Sequence, residues 1–158
     1  MTDPTPGAAD PTPGASDVAA RVRASFARQG LMATLGASLG RIAPGEVEVA
    51  LVPSPTVAQQ HGFVHAGAVA SIADSAAGYA ALTLMPPGAG VLSTEFKINL
   101  LAPAVGDRLV ARGRVLKAGR TLILTQSEVF AETAAGSRLV AFLTCTLMTV
   151  EGRDGIAD

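Results

Sequence analysis

The chain has no tryptophan, one tyrosine, one cysteine and two histidines in 158 residues. A single cysteine, Cys145, excludes an internal disulfide and fits a reducing compartment. Aromatics make up only 4% of the chain, so there is no stacking platform for nucleic acid. A net charge of -1 gives no basic footprint for a phosphate backbone. Charged residues are 16% against 49% hydrophobic, so the surface is thinly charged and a second subunit is expected to cover part of it. The N-terminus shows neither a basic segment nor an apolar run, so no signal peptide is read there and a cytoplasmic location is expected.

The most informative absence is local. Between His65 and Glu95 the only charged side chain is Asp74, set in a run of small apolar residues. A helix that is apolar on every side is a buried helix. The run from Val64 to Met85 is long enough to raise a membrane question, but it is mostly alanine, carries Asp74 centrally and stops at Pro86-Pro87. It reads as the buried helix of a globular domain, with no membrane partner. A lone carboxylate in such a helix is costly unless partnered, which makes Asp74 a functional-site candidate.

Residues 1–16 hold a near-repeat, Asp3-Pro4-Thr5-Pro6-Gly7-Ala8 and Asp10-Pro11-Thr12-Pro13-Gly14-Ala15, that reads as a disordered tail. One domain is expected over 17–150, followed by a polar tail at 151–158. A first helix carries Val18, Val22 and Phe26 on one stripe, with Ser16 or Asp17 as its cap and Gly30 as its stop. A short helical turn is expected at 31–35. Pro44-Gly45 marks a turn, and Glu46 to Leu51 alternates as a strand. After Pro86-Pro87-Gly88 the pattern turns to period two, with strands expected at about 91–101, 108–117, 121–132 and 138–150. Short connections make these antiparallel neighbours. Helix, strand, long buried helix and four strands define an α+β fold in which one sheet curls round one helix. Such a sheet keeps an edge strand that can pair with a second subunit. Arg108, Arg112 and Arg114 share one parity and should face solvent, with phosphate binding as a secondary reading.

If His65 opens the central helix, the N–H groups of Ala66, Gly67 and the next residue have no intrahelical partner. They point outward at the positive end of the helix dipole and suit a carbonyl oxygen or an oxyanion. Gly67 keeps that approach uncrowded. Asp74 is nine residues past His65, about half a turn out of phase and roughly 13 Å along the axis. It therefore cannot easily reach a carbonyl held at its own helix start. Two helices antiparallel about a two-fold axis bring Asp74 of one chain near Ala66 of another, which predicts two composite sites per dimer. Asp74 would act as a general base or a nucleophile, with burial raising its pKa. A structural carboxylate satisfied by hydroxyls is the competing reading. His61 and His65 stand at i and i+4, like paired metal ligands, but no third ligand group accompanies them, so capping or ligand orientation is the preferred role and no metal is expected. Cys145, between Leu143 and Leu147 at alternate positions, reads as a core residue rather than a nucleophile. Tyr79 lines a pocket or simply packs.

The segment from Gln59 to Ala80, with His65-Ala66-Gly67 followed by Asp74, resembles the hotdog-fold acyl-CoA thioesterases of the phenylacetate-degradation, PaaI-like, type. The run from Ser93 to Ala104 and the turns at Gly106-Asp107 and Gly119-Arg120 continue the match, which covers about 26–150. The resemblance implies a five- or six-stranded antiparallel sheet round the central helix, a homodimer with a continuous sheet, often paired into a homotetramer, and hydrolysis of an acyl-CoA without metal or cofactor. It implies Asp74 as the catalytic acid, Ala66 as the oxyanion donor after the motif histidine His65, Gln59 as a holder of the thioester carbonyl, and Ser93 as a hydroxyl that positions water. The common HGG motif is His65-Ala66-Gly67 here, and a backbone donor survives an alanine unless the position needs φ > 0. Gln59 is one methylene longer than the usual asparagine, with Gln60 as a substitute. Phe63, Val64, Tyr79 and Leu82 are expected in the pocket walls, and Lys97, Lys117 and Arg120 near the CoA phosphates. The rival readings are a non-catalytic acyl-CoA binding module and a hydratase of the same fold; the histidine-to-acid spacing fits the second poorly.

Overall fold

A computed structural model of the chain describes residues 15–156, with side chains from Asp17 onward. The expected tail at 1–16 lies outside the described residues except for its last two, which are helical. Helix α1 is Ala15–Phe26, so Ser16 and Asp17 fall inside its first turn rather than before it. Asp17 there faces the favourable end of the helix dipole. Gly30 is likewise not a stop. The chain turns through Ala27 to Gln29, and Gly30 is the first residue of α2 (Gly30–Leu35), with Gln29 as its N-cap. Gly36 ends α2 in the left-handed conformation (φ 68°), a position that disfavours any residue with a Cβ.

Strands β1 (Ser38–Ala43) and β2 (Glu46–Leu51) flank the Pro44-Gly45 turn. A 3-10 turn, Pro55–Val57, and a loop lead into α3 (Ala66–Leu82). Four strands follow: β3 (Gly90–Leu100), β4 (Arg108–Ala118), β5 (Leu122–Thr133) and β6 (Gly136–Val150). They lie within two residues of the positions expected from period-two patterning. All six strands form one antiparallel sheet in the order β1-β2-β4-β5-β6-β3. The sheet wraps α3, whose Ile72, Ala73, Ala76, Ala77, Ala80 and Ala81 are fully buried. No helix among the described residues is long and apolar enough to cross a membrane.

The small residues of α3 let the sheet approach the helix backbone itself. A Cβ on Gly113 of β4 would collide with the Ala76 carbonyl group and the Ala77 nitrogen. The far end of α3 is tied down twice. Arg21 donates to the carbonyls of Leu82 and, at 3.0 Å, Met85. Thr83 Oγ1 accepts from Gly45 N at 2.7 Å, joining the helix end to the β1–β2 turn. Residues 151–156 fold back so that Ile156 packs on Gly90, where any Cβ would strike it.

The outer face of the sheet carries an ion-pair lattice. Arg108 pairs with Glu132 at 2.7 Å, and Arg112 with Glu48 at 3.1 Å and Glu132 at 3.3 Å, its guanidinium also lying over Phe130. Carboxylates thus already engage two of the three arginines read as solvent-facing. At the other side, β3 is an edge strand left uncovered by the described residues, and Phe96, Leu100, Leu101 and Val105 on or just after it are about half exposed.

Gly113→Ala tests the close approach. Overpacking against a helix backbone costs about 2–3 kcal/mol, which for a domain of this size lowers the melting temperature by roughly 5–10 °C; calorimetry reads it directly.

Candidate active site

The loop before α3 is built to present one backbone donor. Gln59 N bonds Phe63 O at 2.8 Å, Gly62 N bonds Gln59 O at 2.9 Å, and Gly62 adopts φ 84°. The Gln59 side chain accepts from His61 N at 2.7 Å, and His65 N reaches back to Val57 O at 2.8 Å. These bonds fix His65 as the N-cap of α3. Its Nδ1 accepts from Gly67 N at 2.8 Å, while its carbonyl accepts from Ala68 N and Val69 N. An accepting Nδ1 carries no proton, so the histidine is the Nε2-protonated tautomer.

This corrects the donor set read from the sequence. The Gly67 and Ala68 amides are both taken. Among the described residues, Ala66 N–H alone is left without a partner in the first turn. Ala66 is exposed, and it shares a cavity of about 440 Å³ with Gln59, Phe63, Val64 and Leu100. Its backbone φ is not positive, so the alanine sits there without strain.

Asp74 lies on another face of α3 and is half-buried rather than enclosed. Ser93 Oγ donates to its Oδ1 at 2.7 Å, and the Cys145 thiol lies 3.8 Å from the same oxygen. Both partners come from the inward face of the sheet. Ser93 on β3 stands opposite Leu147, and a bulge at Thr94 then turns Phe96, opposite Cys145, inward as well. Burial first, and the Asp74 charge after it, push the Cys145 thiol up to about 11 against a lowering by Ser93. The thiol stays protonated near neutrality and is a hydrogen-bond donor to the carboxylate, not a nucleophile.

Asp74 borders two spaces. One is a cavity of about 370 Å³ with Ser93, Tyr79, Leu82, Ser75 and Gln29 on its walls. The other is a groove of about 560 Å³ running past Gly67, Ser71 and Phe96 under Leu31 of α2. Tyr79 is buried, its ring 5.8 Å from that of Phe26 and its hydroxyl 3.4 Å from Ser25 Oγ. Burial raises the phenol above its usual value, with smaller lowering from Ser25 and Arg28, so it is neutral.

The predicted site residues thus separate into two groups within one chain. Gln59, Phe63, Val64 and Ala66 line one cavity; Asp74, Tyr79, Leu82 and Ser93 line another, and no lining residue is common to both. Gln60 is exposed beside His61, with their side-chain nitrogens 3.4 Å apart. Lys97, Lys117 and Arg120 are all exposed and line none of these spaces. Among the described residues no three His, Cys, Asp or Glu side chains group as metal ligands. Gln29, Ser25, Ser75 and the Cys145–Asp74 contact carry no mark in the sequence pattern. The first two sit on or after α1, whose periodicity marks only its packing stripe.

The chain matches the thioesterase superfamily model over residues 61–136. It is 47% identical to a thioesterase family protein from Silicibacter pomeroyi, covering 85% of this chain and 99% of that one with a TM-score of 0.83. A mutant form of the phenylacetic acid degradation protein PaaI from Thermus thermophilus is 29% identical, over 76% of this chain and 98% of that one, TM-score 0.67. The PaaI protein of the Escherichia coli phenylacetic acid degradation operon shares the fold at 20% identity, over 87% and 96% of the two chains, TM-score 0.78. No curated protein matches. The sheet wrapped round α3 is therefore a hotdog fold. The chain belongs to the thioesterase superfamily as a PaaI-like thioester hydrolase.

A buried, protonated thiol should be inert. In the native protein Cys145 is expected to resist an aromatic disulfide reagent at pH 8, and to react with one equivalent once the chain is unfolded in guanidinium. Stoichiometric reaction of the native protein would show the thiol to be accessible.

Proposed function

We propose that the protein is a cytoplasmic acyl-CoA thioesterase that works as a homodimer, with Asp74 of one subunit and Ala66 of the other at each site. The observation that carries this reading is the separation of the two groups. The free donor and the acid lie in different cavities of one chain, yet hydrolysis of a thioester requires both at one carbonyl. Pairing of the β3 edges about a two-fold axis supplies the second copy and covers Phe96 and its apolar neighbours. Two such dimers can associate further as a homotetramer.

In this site the thioester carbonyl oxygen accepts from the Ala66 N–H, aided by the α3 dipole, with Gln59 beside it. Asp74 then acts in one of two ways. It takes a proton from a water that attacks the carbonyl carbon, or its carboxylate attacks directly and water cleaves the resulting anhydride. Either way the carbon–sulfur bond breaks and CoA leaves as the thiol, with the free acid as the other product. Ser93 and Cys145 hold Oδ1; among the described residues no hydrogen bond engages Oδ2, which is the oxygen free to react. The acyl group, aryl-acetyl or short- to medium-chain, occupies the cavity beside Tyr79 and Leu82. His65 acts by shaping the helix start, Gly67 and Phe63 border the substrate path, and Gln60, Lys97, Lys117 and Arg120 are offered for the CoA portion.

Two variants separate the roles. Asp74→Asn removes the base or nucleophile and is expected to lower kcat by about a thousandfold. Ala66→Pro removes only the donor. Proline suits the first position of a helix, and His65 before it already has the extended conformation (φ -60°, ψ 139°) a proline requires. The folded variant should lose about a hundredfold in kcat. Thiol release from an acyl-CoA panel measures both, and hydrolysis by Asp74→Asn at the wild-type rate refutes the assignment.

The composite site makes a second prediction. When the two inactive chains are co-refolded, half of the dimers are mixed, and each mixed dimer has one site with both groups intact. Activity should return to roughly a quarter of the wild type. A site contained within one chain regains nothing.

A further inference from the structure

Ser75, the residue after Asp74, donates from Oγ to Gln29 Oε1 at 3.2 Å. Gln29 stands between α1 and α2, 46 positions away in sequence, so this bond closes the chain over the acid. Gln29, Asp74 and Ser75 are the three residues that line both the 370 Å³ cavity and the 560 Å³ groove. The groove opens along Gly67 and Phe96, toward the edge where a second subunit is expected. The cavity runs the other way, along Tyr79 and Leu82 to the C-terminal end of α3, and Ile156 closes part of its wall.

We infer that the Gln29–Ser75 pair is a partition across the substrate cleft and that Gln29 is a specificity-determining residue for the acyl group. This rests on the thioesterase reading above and deepens it. The thioester enters by the groove, the acyl group passes Asp74 into the cavity, and the Gln29 carboxamide sets how much can pass. At roughly 30 Å³ per heavy atom the cavity holds about twelve. The favoured class is therefore a compact acyl group, a medium chain or a single ring, and long-chain acyl groups are excluded. A glutamine suits this place because its side chain is long enough to span the gap, and one hydrogen bond holds it closed without a covalent obstacle.

The test pairs binding with turnover. A series of non-hydrolysable acyl-CoA thioethers of increasing chain length is titrated by calorimetry into wild type, Gln29→Ala and Ser75→Ala, each first shown by thermal melting to be folded. The matching thioesters are assayed for thiol release. Wild type should show a break in affinity at a chain of about twelve carbons or fewer. Gln29→Ala should move that break to longer chains and raise the relative kcat/KM of the excluded substrates about tenfold. Ser75→Ala, which leaves the amide in place but untethered, should shift it the same way by less. A folded Gln29→Ala with the wild-type break overturns the inference. Binding with that break but no turnover by any member of the series would instead defeat the thioesterase reading and leave the partition standing. Absence of binding throughout would defeat both.

Discussion

The packing of Gly113 onto the backbone of α3 is the constraint on which the rest of the molecule depends. Because β4 carries no side chain at that point, the sheet lies directly against Ala76 and Ala77. That contact is possible only if the helix is lined with small residues. A helix of small residues buries little area per turn, so it needs the sheet on most of its circumference to be held at all. The curl of the six strands and the alanine content of α3 are two sides of one arrangement. Among the described residues the sheet leaves one face of α3 to other elements, the one bearing Gly67, Ser71, Asp74 and Ser75.

On that face polarity is rationed. Asp74 is the only ionised group between His65 and Glu95, and its partners are a hydroxyl and a protonated thiol rather than a cation. A cationic partner would neutralise the carboxylate and hold it in an ion pair. Neutral donors orient one oxygen and leave the charge available. At the other end of the face, His65 performs a matching task with the opposite sign. By accepting from Gly67 with Nδ1 and from two further amides with its carbonyl, it satisfies the first turn except for Ala66. One donor and one acceptor oxygen remain, separated by roughly 12 Å along the helix axis.

Much of this is legible in the sequence because it depends on periodicity and on absence of charge. The extent of α3, the turn at Pro44-Gly45 and the four C-terminal strands all follow from alternation or from small apolar residues in sequence. The half-turn offset between His65 and Asp74, and the axial distance that goes with it, follow from helix geometry alone. What cannot be read depends on register between distant strands. Cys145 meets Asp74 across 71 positions because the inward face of β6 packs against α3, and the bulge at Thr94 that turns Phe96 toward the same face has no local mark either. Gln29 reaches Ser75 because the chain reverses at Ala27 to Gln29, where a glycine at position 30 suggests a simple stop. The Gly67 amide looks open in the sequence because the cap that occupies it is a histidine ring nitrogen, a less common acceptor there than a serine or aspartate oxygen.

The separation of donor and acid also bears on why the chemistry sits in a fold of this kind. Within one chain neither group sits on strained backbone, yet neither has the other within reach. In the proposed dimer the edge of β3, the apolar side chains on it and the open face of α3 are covered together. Assembly then removes water from the same surface on which charge develops, where hydrogen bonds to a forming oxyanion are worth more than in solvent. Stability of the interface and competence of the site become one quantity. A substitution at Phe96 or Leu100 would then act twice, on the walls of the site and on the fraction of chains that have a partner.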